Sequence, residues 1–353
     1  MSLPTLLNIS VFLLYSSTFL ISIQASDNDM LLEFKPHENE DLYHVKIHST
    51  TGDIYIGAYN SLYRLSEDFN IIANISTCSA DDCANVNKIL EIDYDHDRLI
   101  TCGGGNNGRC EGRSVLDLTL DGSNVEDGIV SELSAVGIIA PGVLDDGTND
   151  KDDVIKRNVL YVSSGHTSLD PVEYSYKYVN ARRRVDTEKI FQLPNPDFNA
   201  ITVTPSYNKP IRFKTAFDYE GYTYFAAFRP GENNNKTSRL SRVCQKNSLH
   251  TLSEIYLSCV YNNVDYNLVQ AMSIGPVGSE LAISLGLQAG DNVLYGVFAK
   301  GDGSGVATGQ SALCIYKWND TENAFFKALN GCLNVDSNVY TLDYADDADC
   351  SQV

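Results

Sequence analysis

One type of strand recurs along the chain and limits the possible folds more than any other feature. Each copy starts at a polar turn residue, continues through β-branched and aromatic residues, and in most cases ends on glycine. The copies are DIYIGAY from Asp53, DRLITCG from Asp97, NVLYVSSG from Asn158, GYTYFAAF from Gly221 and NVLYGVFAKG from Asn292. Apolar patterns with a helical period are scarce. The sequence therefore predicts an all-β fold.

The spacing of these strands favours a β-propeller. Their starts are about 44 to 71 residues apart, and short strands such as YHVKIHSTTG precede several of them. Propeller blades have four strands, often run about 40 to 50 residues and accept insertions in their loops. The turns of a β-sandwich come at shorter and steadier intervals, so two sandwiches are the alternative.

Two polar segments are predicted to be exposed loops, Pro141–Asn158 and Arg229–Arg239. Neither is a Pro-rich or Ser-rich linker between domains. We therefore expect one domain over residues 29–353.

The N-terminal segment indicates secretion. Met1–Ala25 contains no Asp, Glu, Lys or Arg and has an apolar stretch that begins near Val11. This pattern is typical of a signal peptide cleaved near Ala25, with an uncleaved membrane anchor as the alternative. Three sequons follow, at Asn74, Asn235 and Asn319, and predict glycosylation in an extracellular location.

The charge balance excludes some classes of partner. The chain has 46 acidic and 26 Lys and Arg residues, which gives a net charge of -20. Phosphate-rich surfaces would repel it, so we expect neither nucleic acid nor an anionic membrane surface as a partner. A basic protein partner, or solubility alone, accounts for the acidity.

The cysteine count is odd. The nine residues are Cys78, Cys83, Cys102, Cys110, Cys244, Cys259, Cys314, Cys332 and Cys350. Secretion exposes thiols to an oxidising compartment, so we expect disulfides. One cysteine then has no partner within the chain, which leaves a free thiol, an intermolecular link or a partner outside this sequence.

The segment LITCGGGNNGRC, residues 99–110, has three possible interpretations. A phosphate-binding loop would need a Lys beside its last glycine and a following helix, but Arg109 and Cys110 come next and then a strand. A metal site would need more thiolates or histidines nearby. A disulfide between Cys102 and Cys110 across a Gly- and Asn-rich turn is favoured, and it would contribute roughly 2 to 3 kcal/mol. CSADDC, from Cys78 to Cys83, is a shorter loop of the same kind.

Two further motifs are interpreted as surface features. DYDHD, residues 93–97, lacks the glycine and the glutamate of an EF-hand loop, so a hairpin turn is favoured over calcium binding. ARRRV, residues 181–185, has Ala181 where a furin-type protease prefers Arg, so we predict an exposed basic loop rather than a processing site.

The sequence does not indicate a catalytic centre. The six histidines have no metal-binding spacing, and SSGH at residues 163–166 lacks the G-x-S-x-G nucleophile motif. We therefore predict no catalytic, cofactor-binding or metal-binding residues, no cofactor, and a protein that is not an enzyme. A secreted propeller glycosidase or lectin that uses two of the many carboxylates is the alternative from a different class.

Several segments together resemble the sema domain of plexins, the semaphorin receptors. The longest is NVNKILEIDYDHDRLITCGGGNNGRC, and TGDIYIGAYNSLYRLS lies upstream of it. SRLSRVC, YNLVQAM, NVLYGVFAKG and SALCIYKW follow in the family's order. The resemblance covers about Tyr43 to Cys350. The eight-residue step from Cys102 to Cys110 distinguishes the chain from semaphorins, which have one more residue there.

The resemblance implies a fold and a set of disulfides. The fold is a seven-bladed β-propeller, of which this chain covers about five blades. The implied pairs are Cys78–Cys83, Cys102–Cys110, Cys259–Cys314 and Cys332–Cys350. Cys244 would be unpaired in this chain, and its partner would lie beyond Val353.

The resemblance also implies a function. The chain would be a non-catalytic, extracellular module that binds a semaphorin, with a homodimer or a co-receptor as further possible partners. Attachment to the plasma membrane would depend on a segment beyond this chain. A semaphorin-like ligand and a secreted decoy are the alternatives within the same fold.

Overall fold

A computed structural model describes residues 23–24, 31–36, 40–78, 84–105, 107–144, 155–165, 178–185, 190–202, 210–229 and 237–333. The chain divides into two compact units. The first contains Met1–Asn106 and Glu111–Ser123, and the second contains Asn107–Cys110 and Asn124–Val353. The single domain expected over residues 29–353 stays a prediction, as does the signal peptide, which lies outside the described residues except for Ile23–Gln24.

The first unit is built on two four-stranded sheets. A short pair, β1 (Ile23–Gln24) and β2 (Leu31–Leu32), precedes them. The first sheet has the order β3 (Leu42–Ile47), β4 (Ile54–Ala58), β5 (Ser61–Leu65) and β6 (Ile71–Ser76). The second sheet has the order β7 (Asn87–Asp93), β8 (Arg98–Gly103), β9 (Cys110–Ser114) and β10 (Leu120–Glu126), and its last strand continues into the second unit.

The second unit contains two four-stranded sheets, one three-stranded sheet and a short hairpin. The third sheet has the order β11 (Ala135–Leu144), β12 (Ile155–Ser164), β13 (Tyr178–Arg184) and β14 (Ala200–Thr202). The fourth has the order β15 (Arg212–Tyr219), β16 (Tyr222–Phe228), β17 (Ser238–Cys244) and β18 (Ser253–Tyr256). The hairpin β19 (Val260–Tyr261) and β20 (Val264–Asp265) leads to the fifth, with the order β21 (Leu268–Pro276), β22 (Asn292–Gly301) and β23 (Ala307–Lys317).

Helices are few and short. They are α1 (Pro196–Asn199), α2 (Ser279–Leu285), α3 (Trp318–Leu333) and a 3₁₀ turn at Leu249–Thr251. Within the described ranges, none of these helices has the length and apolar content needed to cross a membrane.

The five recurrent sequence segments occupy equivalent places. They form β4, β8, β12, β16 and β22, the second strand of each sheet. A second strand has a neighbour on both edges, and β4 and β8 are buried along their whole length. The first strands of consecutive sheets lie side by side, β3 with β7, β11 with β15 and β15 with β21. Five such blades confirm the predicted all-β, propeller-type fold.

Apolar side chains from neighbouring sheets form the cores. In the first unit, Tyr55 and Leu62 of the first sheet pack with Leu90 and Leu99 of the second. In the second unit, one cluster joins the third and fourth sheets and another joins the fourth sheet, the fifth sheet and α3. Each sheet therefore depends on its neighbour for burial.

The predicted exposed basic loop at Ala181–Val185 is wrong. Ala181 to Arg184 lie in β13, and Arg182 is completely buried. Its Nη1 donates to the carbonyl oxygens of Val143 (2.6 Å) and Asn247 (2.8 Å), and its Nη2 donates to that of Cys244 (3.1 Å). Burial lowers the pKa of Arg182. The arginine thus joins the third sheet to the fourth, because Val143 belongs to β11 and Cys244 to β17.

The two predicted exposed loops are shorter than expected. Pro141 pairs with Asn158 in the β11–β12 ladder, so the ends of the first segment belong to strands. Arg229 and Arg239 bound the second segment and are buried, and both form ion pairs with Glu254. The central residues of both segments lie outside the described residues.

A polar junction joins β3 and β7 in the first unit. Nδ1 of His44 lies 2.8 Å from Oδ1 of Asn87, and Nδ2 of Asn87 donates to Oγ1 of Thr101 (2.9 Å). Gly57 makes room for this side chain, because a Cβ at that position would lie 2.3 Å from Asn87 Oδ1. The absence of a side chain at residue 57 is therefore a packing requirement.

We predict that Gly57→Ala lowers the free energy of unfolding by about 1 to 3 kcal/mol, because the new methyl group must displace Asn87. Gly275→Ala is the matched control, since its Cβ would meet only Tyr295 at 3.8 Å, an ordinary contact. Urea unfolding followed by circular dichroism measures both. Equal stability of the two variants would contradict the packing argument.

We also predict acid sensitivity at His44. Burial lowers its pKa from 6.5 to about 4, because the folded state disfavours the imidazolium. Below pH 6.5 the unfolded chain binds a proton that the folded chain does not, so stability falls with pH. Between pH 7 and pH 5 the wild type should lose about 1 to 2 kcal/mol more than His44→Asn. An equal loss of unfolding free energy in both proteins, measured by urea unfolding at each pH, would show that His44 is not the source of the acid sensitivity.

Candidate ligand-binding surface

The hairpin between the fourth and fifth sheets presents exposed apolar side chains. We call residues 259–266 the connecting hairpin. Val260 and Tyr261 are 57% and 67% exposed. Asn262 and Asn263 form its two-residue turn with φ of 49° and 61°, a conformation that asparagine tolerates better than most residues. The tight turn holds Val260 opposite Asp265 and Tyr261 opposite Val264.

The base of the connecting hairpin is firmly attached to the fifth sheet. Cys259 is buried and forms a disulfide with Cys314 of β23. Tyr266 N donates to Cys259 O (2.9 Å), and Tyr316 OH donates to Ser258 O (3.0 Å). A hairpin fixed in this way loses less conformational entropy on binding than a free loop would.

A carboxylate at the hairpin base has unused acceptor capacity. Within the described part of the chain, Asp265 Oδ2 is buried and has no hydrogen-bond donor. Burial raises the pKa of Asp265, and burial also raises that of the neighbouring Tyr316. The buried Oδ2 atom is closed to a partner molecule, so recognition at the hairpin would rest on its exposed side chains.

The β22–β23 turn adds to this surface. Gly301 N donates to Asn267 Oδ1 (2.8 Å), which joins the turn to the segment that follows the hairpin. The turn exposes Val306 and holds Asp302, whose pKa is lowered by hydrogen bonds from Ser304 and from Val306 N. Apolar groups beside carboxylates suit a partner with an apolar recess and cationic groups at its rim.

A second group of polar side chains lies at two turns of the first unit. The structure confirms the predicted hairpin turn at residues 93–97, between β7 and β8. The OH of Tyr94 accepts from Ser49 N (3.1 Å), and Asp93 lies 2.9 Å from Nδ1 of His96. Burial raises the pKa of Asp93. The side chains of Asp93, Tyr94 and His96 thus make contacts within the fold, so the motif has a structural role.

Among the residues with described positions, no group of three or more His, Cys, Asp or Glu side chains is arranged to hold a metal ion. In the second unit, the carboxylates of two glutamates form ion pairs with arginines. Glu254 contacts Arg229 and Arg239, and Glu322 contacts Arg242 at 2.8 Å.

The predicted cysteine residues fall into three groups. Cys259 and Cys314 are bonded to each other, and Cys78, Cys102 and Cys110 are also disulfide-bonded. Cys83, Cys350 and the side chain of Cys332 lie outside the described residues. Apart from Cys259–Cys314, the pairings stay predictions. Cys244 carries a free thiol at the end of β17 and is half-buried.

Two of the three predicted glycosylation sites can be located. Asn74 lies on β6 and Asn319 in the first turn of α3, and both are exposed. Asn235 lies outside the described residues. Asn74 and Asn319 lie on different elements, and neither element is part of the connecting hairpin.

Sequence reasoning missed the connecting hairpin. Its signal was present, because VYNNVD places Asn-Asn between two short β-prone pairs, which is a recognised two-residue turn pattern. The exposure of Val260 and Tyr261 has no such signal, since a strand of this composition would ordinarily be buried.

No family model matches the chain. Mouse plexin-A4 is 25% identical over 357 residues, which cover 88% of this chain and 18% of plexin-A4. The solved extracellular region of plexin A4 superposes with a TM-score of 0.64 at 22% identity, covering 88% of this chain and 39% of that one. Drosophila semaphorin 2a has the same fold, with a TM-score of 0.54 at 16% identity over 81% of this chain and 49% of that one.

The chain thus spans less than a fifth of the length of its curated plexin relatives. The similarity nevertheless runs through most of the chain, since both the sequence match and the superposition cover 88% of it. The chain therefore has plexin-A4 and plexin-A3 homologues over 82–88% of its length and the fold of a plexin extracellular sema domain, which confirms the resemblance that its motifs indicate.

Proposed function

We propose that this chain is the extracellular, semaphorin-binding module of a plexin-type receptor and has no catalytic role. The observation that carries the proposal is the similarity to plexin-A4 and plexin-A3 over 82–88% of the chain. The chain covers only 17–18% of those proteins, so signalling by a complete receptor is part of the proposal.

An extracellular location is supported by two features. The first is the N-terminal segment with its signal-peptide pattern. The second is the disulfide between Cys259 and Cys314, because disulfides persist in oxidising compartments.

A binding role without catalysis is supported by the use made of two buried carboxylates among the described residues, Asp93 and Glu254. Asp93 lies 2.9 Å from Nδ1 of His96. Glycoside hydrolysis needs two carboxyl groups on opposite sides of a substrate cleft. Here the buried Glu254 is enclosed by Arg229 and Arg239, and Arg239 in turn stacks on Tyr256 at 3.9 Å. Such a group stabilises the fourth sheet and offers no free acid or base.

The connecting hairpin is the surface that we assign to semaphorin contact. It combines a rigid base, an exposed aromatic residue and carboxylates, and exposed tyrosines are frequent energetic centres of protein interfaces. The matching semaphorin surface would have an apolar recess with Lys or Arg at its edge. A semaphorin-like ligand is the second candidate, since semaphorin 2a has the same fold.

The function predicts saturable binding of the secreted chain to the ectodomain of at least one semaphorin. A biosensor with a panel of semaphorin ectodomains measures it, and the same chain after thermal unfolding is the control. A folded chain that binds none of the panel would overturn the receptor assignment. Self-association without semaphorin binding, measured by light scattering, would favour the ligand candidate.

The hairpin assignment predicts that Tyr261→Ser weakens semaphorin binding about tenfold or more, which corresponds to roughly 1.4 kcal/mol. Ile283→Ser is the matched control, because Ile283 is 80% exposed on α2 and lies outside the hairpin. Circular dichroism should show that both variants are folded. Unchanged affinity of Tyr261→Ser would reject the hairpin as the contact and leave the receptor function standing.

A further inference from the structure

The outer strand of the first sheet, β6, has an edge that invites association. It is the last strand in the order β3-β4-β5-β6, and within the described ranges no other strand pairs with its free edge. An edge strand offers a row of backbone donors and acceptors to any other extended chain.

The sequence of β6 lacks the charged residues and prolines that commonly protect such an edge, and its one irregularity is a bulge at Ile72. The strand reads IIANIS and contains neither a charged residue nor a proline. Ile71 and Ile72 are 51% and 48% exposed. Short, apolar, uncharged segments with β-branched residues are the ones most prone to edge-to-edge aggregation.

The sequon at Asn74 lies within this same strand. Asn74 pairs with Tyr63 of β5, and its side chain is exposed. The β5–β6 register has a bulge at Ile72, because Ile71 pairs with Leu65 whereas Ala73 pairs with Arg64. Ile71 and Asn74 therefore share the face of Leu65 and Tyr63, whereas Ala73 and Ile75 pack toward the core shared with the second sheet. An oligosaccharide on Asn74 would thus extend from the face on which Ile71 is exposed.

We propose that Asn74 carries an N-linked glycan that shields the edge of β6 and prevents edge-to-edge association of this chain. The glycan takes the place of the charged or proline residues that protect other edge strands. A bulky hydrated oligosaccharide beside Ile71 sterically blocks a second strand from approaching the β6 backbone. The proposal rests on the secretory location of the proposed function, because N-linked glycans are added in that pathway.

The first test is occupancy. The chain is expressed in mammalian cells, and peptides that contain Asn74, Asn235 and Asn319 are analysed by mass spectrometry before and after enzymatic deglycosylation. We expect Asn74 to be occupied. An unmodified Asn74 in a chain that carries a glycan at another sequon would overturn this proposal alone. The absence of glycans from all three sequons would also contradict secretion.

The second test is association. Asn74→Gln removes the acceptor, and Asn319→Gln, on the exposed first turn of α3, is the matched control. Size-exclusion chromatography with light scattering should show a several-fold larger oligomer fraction for Asn74→Gln and no change for Asn319→Gln. An oligomer fraction in Asn74→Gln equal to that of the wild type would reject the shielding role.

A rescue variant separates shielding from a folding defect. Adding Ile71→Lys to Asn74→Gln places a positive charge on the same face of β6, and edge lysines oppose strand pairing. We expect this double variant to return to the wild-type oligomer fraction with unchanged circular dichroism. Persistent oligomers in the double variant would show that the glycan acts somewhere other than at this edge.

Discussion

Burial of apolar side chains between neighbouring sheets is the constraint on which the rest of this structure depends. A sheet that is apolar on both sides cannot be stable alone in water, so each blade needs another against its face. In the second unit, this requirement places Tyr161 of β12 and Phe225 of β16 in one cluster, and Tyr224 of β16 and Phe298 of β22 in the next. The alternating side chains of β16 thereby serve two cores at once. The extended apolar runs of the second strands are the direct sequence expression of this requirement.

The second strands were predictable and the polar residues inside the sheets were not. Runs such as GYTYFAAF have one physical explanation, which is burial in a sheet, and the structure places all five in equivalent positions. ARRRV has two explanations, and the common one, a solvated basic loop, was wrong. The burial of Arg182 depends on three carbonyl groups from β11, β17 and the segment after β17, and nothing in the local sequence reports their proximity. The connecting hairpin was predictable only in part. Its Asn-Asn turn indicates a hairpin, but the exposure of Val260 and Tyr261 depends on how the rest of the chain packs around them.

Polar junctions complement this apolar packing. Apolar faces slide past one another at small cost, whereas directed hydrogen bonds are lost when two sheets shift. Asn87 in the first unit and Arg182 in the second each bond to groups from neighbouring sheets or strands. Leaving one of these buried partners unsatisfied would cost about 1 to 3 kcal/mol, which is enough to disfavour a shifted packing. The cores therefore provide most of the stability, and the polar junctions define how the sheets pack.

The close approach at Gly57 also has a consequence for sequence divergence. Any side chain at residue 57 would need a shorter residue at 87, and shortening residue 87 would remove the partner of both His44 and Thr101. These four positions therefore form one evolutionary unit, in which a single substitution is unfavourable until the others have changed. In related chains they should vary together or stay fixed together, even though they are distant in the sequence and belong to three different strands and the end of a fourth.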